Sequence, residues 1–226
     1  ELSCGRSTVS ERLARALEGT AVRPRPHAKS HKCPVSALRQ MAAGAVGVCC
    51  QKVGEAEAMV YGGVPNVLVS NQIVGRSKIA RLAALAKQAW IAVCADHPAN
   101  VTDLNDAALA YRVRLPVLVE INVGMDRCGV EPGEPALALA KQIAALPGLR
   151  FAGLQAYHGS AQHVREFAKR KDAADTGIEK TRRTVELLGR HGLPCELVTG
   201  AGTGSYRFEA GSGVFTELQA GSYIFM

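Results

Sequence analysis

A lysine between two histidines is the feature of this chain with the clearest chemical potential. Lys29 lies in residues 23–33 (RPRPHAKSHKC), and His27 and His31 flank it two positions away on either side. Desolvation and neighbouring cations favour a neutral lysine amine, which can attack a carbonyl carbon to form a Schiff base. The alternative is a solvated basic loop that binds anions loosely. Spacing alone leaves both interpretations open.

The two histidines share a face with Lys29 if this segment is extended, because side chains alternate along a strand. Either imidazole could then relay a proton during a reaction. Alternatively, both rings could hydrogen-bond the loop and disfavour a positive charge on Lys29. We therefore take His27, Lys29 and His31 as the candidate catalytic residues.

The elements that must position Lys29 alternate between β-rich and Ala/Leu-rich segments, which is typical of an α/β fold with a parallel sheet. We predict eight strands, over residues 22–29, 45–51, 66–70, 91–95, 117–123, 151–158, 195–199 and 218–225. Helices are expected over residues 36–43, 55–61, 77–88, 101–112, 135–145 and 161–190. This pattern favours a (β/α)8 TIM-like barrel over an open sheet, and no Rossmann glycine fingerprint follows the first strand.

A barrel of this kind carries its chemistry at the carboxyl ends of the strands. Polar residues cluster at these predicted ends: Lys29, Gln51, Lys52, Asn71, Gln72, Asp96, Arg127, Tyr157, His158 and the glycine-rich run at residues 199–204. Asn71 and Gln72 are substrate-side candidates by this position alone, whereas a helix cap is the expected role of Asp96.

The 226 residues are 47% hydrophobic, which is enough for one large core. We predict a barrel domain over residues 22–226, preceded by a helical N-terminal segment over residues 1–21. No run of about 18 apolar residues suggests a membrane span. The first twenty residues lack the apolar core of a signal peptide, so a cytoplasmic location is expected.

The formal net charge of +7 could indicate a nucleic-acid partner. Aromatic residues make up only 5% of the chain, however, and the basic residues are scattered along helical segments, so small anions account for the charge equally well. The seven cysteines lie mostly in apolar segments, where they act as small hydrophobic residues. No paired-cysteine zinc spacing occurs, and no metal ligands are predicted.

Four segments resemble, in the same order, motifs of the D-threonine aldolase and D-serine dehydratase family, which has the alanine-racemase type of pyridoxal-phosphate fold. They are residues 26–33 (PHAKSHKC), 44–52 (GAVGVCCQK), 153–160 (GLQAYHGS) and 199–206 (TGAGTGSY). The resemblance extends from about Val22 to the last residue. The chain looks most similar to the branch of the family that acts on D-3-hydroxyaspartate. It implies that Lys29 holds pyridoxal 5'-phosphate as a Schiff base.

The resemblance also implies a phosphate site, formed by Thr199, Gly202, Thr203 and Gly204 with help from Ser160, Gly221, Ser222 and Tyr223. Glycines allow main-chain amides to approach an anion closely. An ordinary tight turn is the alternative. Ala201 stands where relatives often have a third glycine, and its methyl group fits if its φ is negative.

Arg127, in residues 123–129 (VGMDRCG), matches an arginine that meets the phenolate oxygen of the cofactor. A permanently charged guanidinium there favours the ionised phenolate. The alternative is a surface ion pair with Asp126 or Glu131.

Two further positions are implied to contact the cofactor ring. His158 matches an imidazole that stacks on the pyridine ring, although it could instead be a structural residue, with Tyr157 pointing into the barrel. Gln219 matches the position that contacts the pyridine nitrogen. A neutral amide there stabilises a protonated ring less than a carboxylate does.

The implied function is a pyridoxal-phosphate-dependent lyase that cleaves a D-β-hydroxy amino acid, D-3-hydroxyaspartate or D-threonine, into glycine and an aldehyde. The alternatives are a dehydratase (ammonia-lyase) of D-serine or 3-hydroxyaspartate, and a single-barrel cofactor-homeostasis protein without an evident reaction. A nucleic-acid or scaffold protein is supported by charge alone.

Family members carry a C-terminal β-rich domain with a histidine and cysteine pair for a divalent metal, and it completes the site of the neighbouring subunit. No His-x-Cys pair follows the predicted barrel here, so we expect a truncated chain whose metal ligands are absent. The expected partners are a D-amino acid substrate and a second copy of the chain, with a monomer left open. Neither nucleic acid nor membrane is expected.

Overall fold

A computed structural model describes residues 9–226 as strands that alternate with helices. The strands are β1 (Arg23–Pro24), β2 (Val48–Cys50), β3 (Asn66–Gln72), β4 (Trp90–Ala95), β5 (Leu115–Glu120), β6 (Leu149–Ala156), β7 (Leu197–Gly200) and β8 (Glu217–Leu218). The helices are α1 (Val9–Ala16), α2 (Pro34–Ala42), α3 (Val53–Tyr61), α4 (Arg76–Leu85), α5 (Pro98–Tyr111), α6 (Glu134–Ala145), α7 (Phe167–Arg190) and α8 (Tyr206–Ala210). Short 3₁₀ turns cover Ala28–Ser30, Ser160–His163 and Ser222–Phe225.

All strand pairs are parallel, and the hydrogen-bonded order is β1-β8-β7-β6-β5-β4-β3-β2. The two ends of this order also meet, because His27 and Cys49 form a parallel bridge between the segments that carry β1 and β2. The sheet therefore curls into the TIM-like (β/α)8 barrel that the sequence predicts.

Two prolines in the first strand segment fit this closure. Pro24 and Pro26 have no N–H group, and their carbonyls accept hydrogen bonds from Val46 N (3.0 Å) and Cys49 N (2.8 Å) on the β2 side. The residues next to them, Arg25 and His27, donate to the β8 side instead, to carbonyls at 2.8 and 3.3 Å. The prolines thus stand at positions where only the carbonyl is needed, so their missing N–H groups leave no gap in the hydrogen bonds between strands.

The barrel interior is filled by small and apolar side chains: Cys49, Leu68, Ala92, Cys94, Leu118 and Ala152. A buried ion pair lies nearer the amino-terminal ends of the strands, where Arg25 Nε is 2.5 Å from Glu217 Oε2. Arg25 also donates to Asn66 Oδ1 at 2.6 Å and lies over the Trp90 ring, at the starts of β3 and β4. The interior is thus packed, and open space remains at the carboxyl ends.

Several predicted boundaries are wrong. The first strand was expected to reach residue 29, but the chain enters a 3₁₀ turn at Ala28. The last strand was expected to reach residue 225, but β8 ends at Leu218 and Ser222–Phe225 is a 3₁₀ turn. The helix expected over residues 161–190 is split into a 3₁₀ turn and α7, and α8 was not predicted.

The predicted N-terminal helical segment is seen only in part. Residues 9–16 form α1, whereas residues 1–8 lie outside the described residues. No helix in the described part of the chain combines the length and apolar character needed to cross a membrane.

Candidate active site

A cavity of about 1060 Å³ opens at the carboxyl ends of the strands. Most of the predicted site residues line it: His27, Lys29, Asn71, Gln72, Arg127, Tyr157, Gly202, Thr203, Gly204, Gln219, Gly221 and Ser222. Five others do not: His31, His158, Ser160, Thr199 and Tyr223. The barrel therefore brings together side chains from both halves of the chain, as its topology requires.

Lys29 reaches this cavity from a 3₁₀ turn that directly follows the first strand segment. Its amine nitrogen lies 5.9 Å from the centre of the Tyr157 ring. Burial, and next the nearby charge of Arg127, lower the pKa of the Lys29 amine below its ordinary value. A larger fraction of the amine is consequently neutral and nucleophilic at a given pH.

His27 is buried behind Lys29 and hydrogen-bonded on both ring nitrogens. Its Nδ1 accepts from the main-chain N–H of Lys29 at 3.3 Å, and its Nε2 lies 3.2 Å from Ser70 Oγ. Burial, helped by the charges of Lys29 and Arg127, lowers the pKa of His27 to about 3. The ring is therefore neutral at ordinary pH, and it caps the turn that carries Lys29.

His31 lies outside the cavity wall. Its Nδ1 accepts from Cys33 N at 3.1 Å, and its Nε2 is 3.2 Å from Gln40 Oε1. The extended segment expected to align both imidazoles with Lys29 is wrong, because the 3₁₀ turn rotates the side chains away from a common face.

Arg127 lies on the cavity wall with its guanidinium 5.6 Å from the centre of the Tyr157 ring. Its acidic partner is Glu120, whose Oε1 is 3.6 Å from Arg127 Nη2, and not Asp126 or Glu131 as in the alternative interpretation. Those two carboxylates instead accept hydrogen bonds from Asn122. Arg127 is thus held at the cavity by an anion beneath it.

Glu120 is only 3% exposed, and burial raises the pKa of its carboxyl group. Gln72 Nε2 donates to its Oε2 at 2.7 Å, and Cys128 Sγ donates to its Oε1 at 3.1 Å. The predicted substrate-side residue Gln72 therefore also supports the carboxylate that faces Arg127. Asn71 donates to the carbonyl of Gln51 at 3.1 Å on the same rim.

The glycine-rich loop after β7 has free main-chain donors. Among the described residues, the N–H groups of Gly202 and Thr203 have no hydrogen-bond partner, whereas Gly204 N donates to Gln162 Oε1 at 2.8 Å. Ala201 is fully buried with φ +63, so the negative φ that would let its methyl group fit without strain is not adopted. A left-handed alanine costs about 1 kcal/mol relative to an unstrained one, which the surrounding core must offset.

The next turn, after β8, meets this loop. Thr203 Oγ1 accepts from Ser222 Oγ at 3.1 Å and from Tyr223 N at 3.2 Å, and the Tyr223 hydroxyl accepts from Gln40 at 2.9 Å. A Cβ atom on Gly221 would lie 2.7 Å from Ser30 Oγ and 3.1 Å from His27 O. Glycine is therefore needed there for the lysine turn to pack against the loop.

Tyr157 and His158 are neighbours at the end of β6, but their side chains have different surroundings. Tyr157 faces the cavity, whereas His158 Nδ1 lies 3.1 Å from Ser160 Oγ, and its ring packs against Gly124. Tyr157 is thus the aromatic ring near both Lys29 and Arg127. The expected stacking of His158 on a cofactor ring stays a prediction.

Gln219 forms part of the cavity floor together with Gln155, a residue that the sequence analysis did not single out. Gln219 Nε2 donates to Gln155 Oε1 at 2.6 Å and to Thr199 Oγ1 at 2.9 Å. Thr199 is fully buried and supports Gln219 from below. A neutral amide thus lies where the pyridine-nitrogen contact was expected.

Other wall residues were also missed: Cys128, Gln162, His163, Phe167, Arg170, Ser205, Tyr206, Arg207 and Phe208. Quoted motifs contained Gln155, Cys128, Ser205 and Tyr206. Glu120 is the single charged residue in the otherwise apolar strand predicted over residues 117–123, which was a usable signal. The helix predicted over residues 161–190 contained Gln162, His163, Phe167 and Arg170, and the unpredicted helix α8 contains Arg207 and Phe208.

The wall fits an aldehyde that bears a phosphate group. Lys29 offers an amine of lowered pKa, and the free amides of Gly202 and Thr203 with the hydroxyls of Thr203 and Ser222 offer donors to an anion. Within residues 9–226, no three His, Cys, Asp or Glu side chains are grouped closely enough to hold a metal ion.

The model of the alanine racemase N-terminal domain family matches residues 10–226. D-threonine aldolase of Arthrobacter sp is 49% identical over 89% of this chain and 53% of its own length. 3-Hydroxy-D-aspartate aldolase of Paracoccus denitrificans (strain Pd 1222) is 46% identical over 91% of this chain and 54% of its own length. The chain thus spans about half the length of the curated relatives it matches.

Solved structures of similar proteins have the same fold. D-threonine aldolase from Filomicrobium marinum superposes with a TM-score of 0.95 at 53% identity, over 96% of this chain and 59% of the other. D-threo-3-hydroxyaspartate dehydratase from Delftia sp. HT23 has a TM-score of 0.84 at 24% identity, over 96% and 58% of the two chains, and shows the shared fold alone.

Proposed function

The chain belongs to the alanine racemase N-terminal domain family, and from this membership we propose that it is the cofactor-binding barrel of a pyridoxal-phosphate-dependent lyase. Its substrates are D-β-hydroxy amino acids, D-threonine or D-3-hydroxyaspartate, which it cleaves into glycine and an aldehyde. The observation that carries the proposal is Lys29, an amine of lowered pKa in the same cavity as the free amides of the β7 loop. Alanine-racemase-type aldolase families are pyridoxal-phosphate dependent.

Each end of the cofactor has residues suited to it. Lys29 would hold the aldehyde carbon, Gly202, Thr203 and Ser222 would bind the phosphate, and Arg127 would face the phenolate oxygen. Gln219 offers only a neutral amide to the pyridine nitrogen. The bound cofactor supplies an electron sink for the bond that breaks at Cα.

The protein's own residues control protons around that bond. As the pKa of the Lys29 amine falls toward the working pH, a larger fraction of the amine is unprotonated and can accept a proton at Nζ. The Tyr157 ring lies near both this amine and Arg127. Burial raises the pKa of the Tyr157 hydroxyl, so it stays protonated and can donate a hydrogen bond. His27 remains neutral and holds both the Lys29 turn and Ser70 in place. We therefore give His27 a positioning role and assign no proton transfer to His31.

Aldol cleavage is favoured over dehydration by the relatives. Those 45–49% identical are named aldolases, whereas the dehydratase relative is 24% identical. We assign no described residue to a divalent metal, since no group of three possible ligands occurs among residues 9–226. The test is incubation of the reconstituted protein with D-threonine or D-3-hydroxyaspartate, followed by assay of glycine and of the aldehyde. Formation of the 2-oxo acid and ammonia would instead identify a dehydratase.

A homodimer and a cytoplasmic location belong to the same proposal. Phe167 lines the cavity although its side chain is 62% exposed, which supports an association that covers the cavity mouth. Light scattering during gel filtration tests the dimer, because a monomeric mass at high protein concentration would contradict it. Cell fractionation tests the location.

A further inference from the structure

Gln162 links two loops at the mouth of the barrel. It lies in the 3₁₀ turn Ser160–His163 and lines the cavity. Its Nε2 donates to His158 O at 3.3 Å and to Ser205 Oγ at 2.7 Å, and its Oε1 accepts from Gly204 N at 2.8 Å. One amide group therefore makes a hydrogen bond with the loop after β6 and two with the loop after β7.

The glycine-rich loop after β7 packs closely against the Gln162 side chain. A Cβ atom on Gly202 would lie 2.6 Å from Gln162 Oε1, closer than real Cβ atoms come to a neighbour. Gly202 does not have a positive φ, so close approach and not backbone strain accounts for glycine there. The loop and Gln162 are thus packed as one unit.

The hydrogen bonds continue away from the cavity. Ser205, only 1% exposed, donates through Oγ to Glu209 Oε1 at 2.7 Å. Glu209 is 4% exposed, and burial raises the pKa of its carboxyl group. The chain of hydrogen bonds from Gln162 through Ser205 to Glu209 therefore anchors the loop to the buried side of α8.

We propose that Gln162 is a positioning residue that presets the β7 loop for a phosphate group. By taking up the N–H of Gly204, it fixes the loop in the conformation that leaves the N–H groups of Gly202 and Thr203 available to an anion. Binding a phosphate then requires no reordering of the loop, and preorganisation of this kind increases affinity. The inference rests on the proposed cofactor and adds the residue that determines phosphate selectivity.

The test compares two aldehydes that differ only in the phosphate group. Dissociation constants for pyridoxal 5'-phosphate and pyridoxal are measured by absorbance for wild type, Gln162→Leu and Ser205→Ala. The matched control is Gln142→Leu, because Gln142 is a helix-surface residue that donates to Pro98 O and Thr102 outside the cavity. Gln162→Leu should weaken binding of the phosphorylated aldehyde about tenfold, the scale of one lost hydrogen-bond contribution, and leave pyridoxal binding unchanged. Ser205→Ala should show a smaller loss of the same selectivity.

The outcomes separate this inference from the proposed function. A wild-type protein without preference for the phosphorylated aldehyde would overturn both. If wild type shows the preference and Gln162→Leu and Ser205→Ala both keep it, only the inference fails. Equal loss of affinity for both aldehydes would show a general structural role and also overturn it. Should Gln162→Leu not fold, the Ser205→Ala result decides.

Discussion

The amine of Lys29 and the guanidinium of Arg127 lie against the same aromatic ring, at 5.9 and 5.6 Å from the centre of Tyr157. The ring face attracts each cation, while the two cations repel each other. After burial, the charge of Arg127 is the next cause of the lowered Lys29 pKa. Arg127 therefore lowers the pKa of the proposed nucleophile, in addition to its proposed contact with the phenolate.

Replacing Arg127 with glutamine should raise the pKa of Lys29. The neutral amine is the reactive form, so the rate of pyridoxal-phosphate capture rises with pH, with a midpoint below the ordinary lysine value of 10.5. In the Arg127→Gln variant, this midpoint should move to higher pH. Arg183→Gln is the control, since Arg183 is exposed on α7 and pairs with Glu179. An unchanged or lower midpoint in Arg127→Gln would argue against the tuning.

The buried neutral His27 should make stability depend on pH. The unfolded chain protonates this ring near pH 6.5 and the folded chain only near pH 3, so the unfolded state binds more protons between these values. The free energy of unfolding should consequently fall as the pH falls from 6.5 toward about 3, by at most about 1.4 kcal/mol per pH unit. Urea titrations of His27→Gln should show a shallower pH slope than wild type, whereas His191→Gln, at an exposed site, should not. Equal slopes in His27→Gln and wild type would contradict the buried neutral ring.

A methyl group at Gly221 should push the lysine turn away from the phosphate loop. The added Cβ would meet Ser30 Oγ and a main-chain carbonyl, and overpacking of this kind costs about 1–3 kcal/mol. Gly221→Ala should therefore lower both stability and cofactor affinity. Gly189→Ala is the control, because its Cβ meets nothing within 4 Å on helix α7, and it should be neutral or stabilising by up to about 1 kcal/mol. If the two variants unfold at the same urea concentration, the packing argument fails.

Several features of the fold and site could be predicted from residue patterns alone. Alternating β-rich and Ala/Leu-rich segments identify the barrel, since each strand must bury its apolar residues between the interior and a helix. The segment around Lys29 indicates the candidate nucleophile only together with its resemblance to a family motif. These features are local, so neighbouring residues are enough to indicate them.

Other features depend on contacts between distant segments. In the sequence, Glu120 is a lone charge within a predicted apolar strand, and only the barrel shows that it pairs with Arg127. Gln162 has no spacing that relates it to Gly204 and Ser205, which it contacts from another loop. The 3₁₀ turn at Ala28 packs against Gly221 from the other end of the chain, and because of this turn the expected common face of the two histidines was wrong.

The buried pair Arg25 and Glu217 should contribute far more to barrel stability than an exposed pair. Removing one member leaves an unpaired charge with 1–2% exposure, so Arg25→Met should lower the free energy of unfolding by about 3–5 kcal/mol. Arg81→Met breaks the more exposed pair with Glu57 and should cost at most about 1 kcal/mol. Urea unfolding measures both. A similar small cost for the two variants would mean that the buried pair does not hold β1 and β8 together.

Borohydride reduction of the protein reconstituted with pyridoxal 5'-phosphate, followed by peptide mass spectrometry, tests the central claim most directly. Reduction should fix the cofactor to Lys29, and Lys29→Ala should abolish both this label and the visible absorbance band. Lys32→Ala is the control, since Lys32 is 65% exposed and pairs with Glu55. It should retain the label. A label on Lys32 or Lys52, or no labelled lysine at all, would contradict the account.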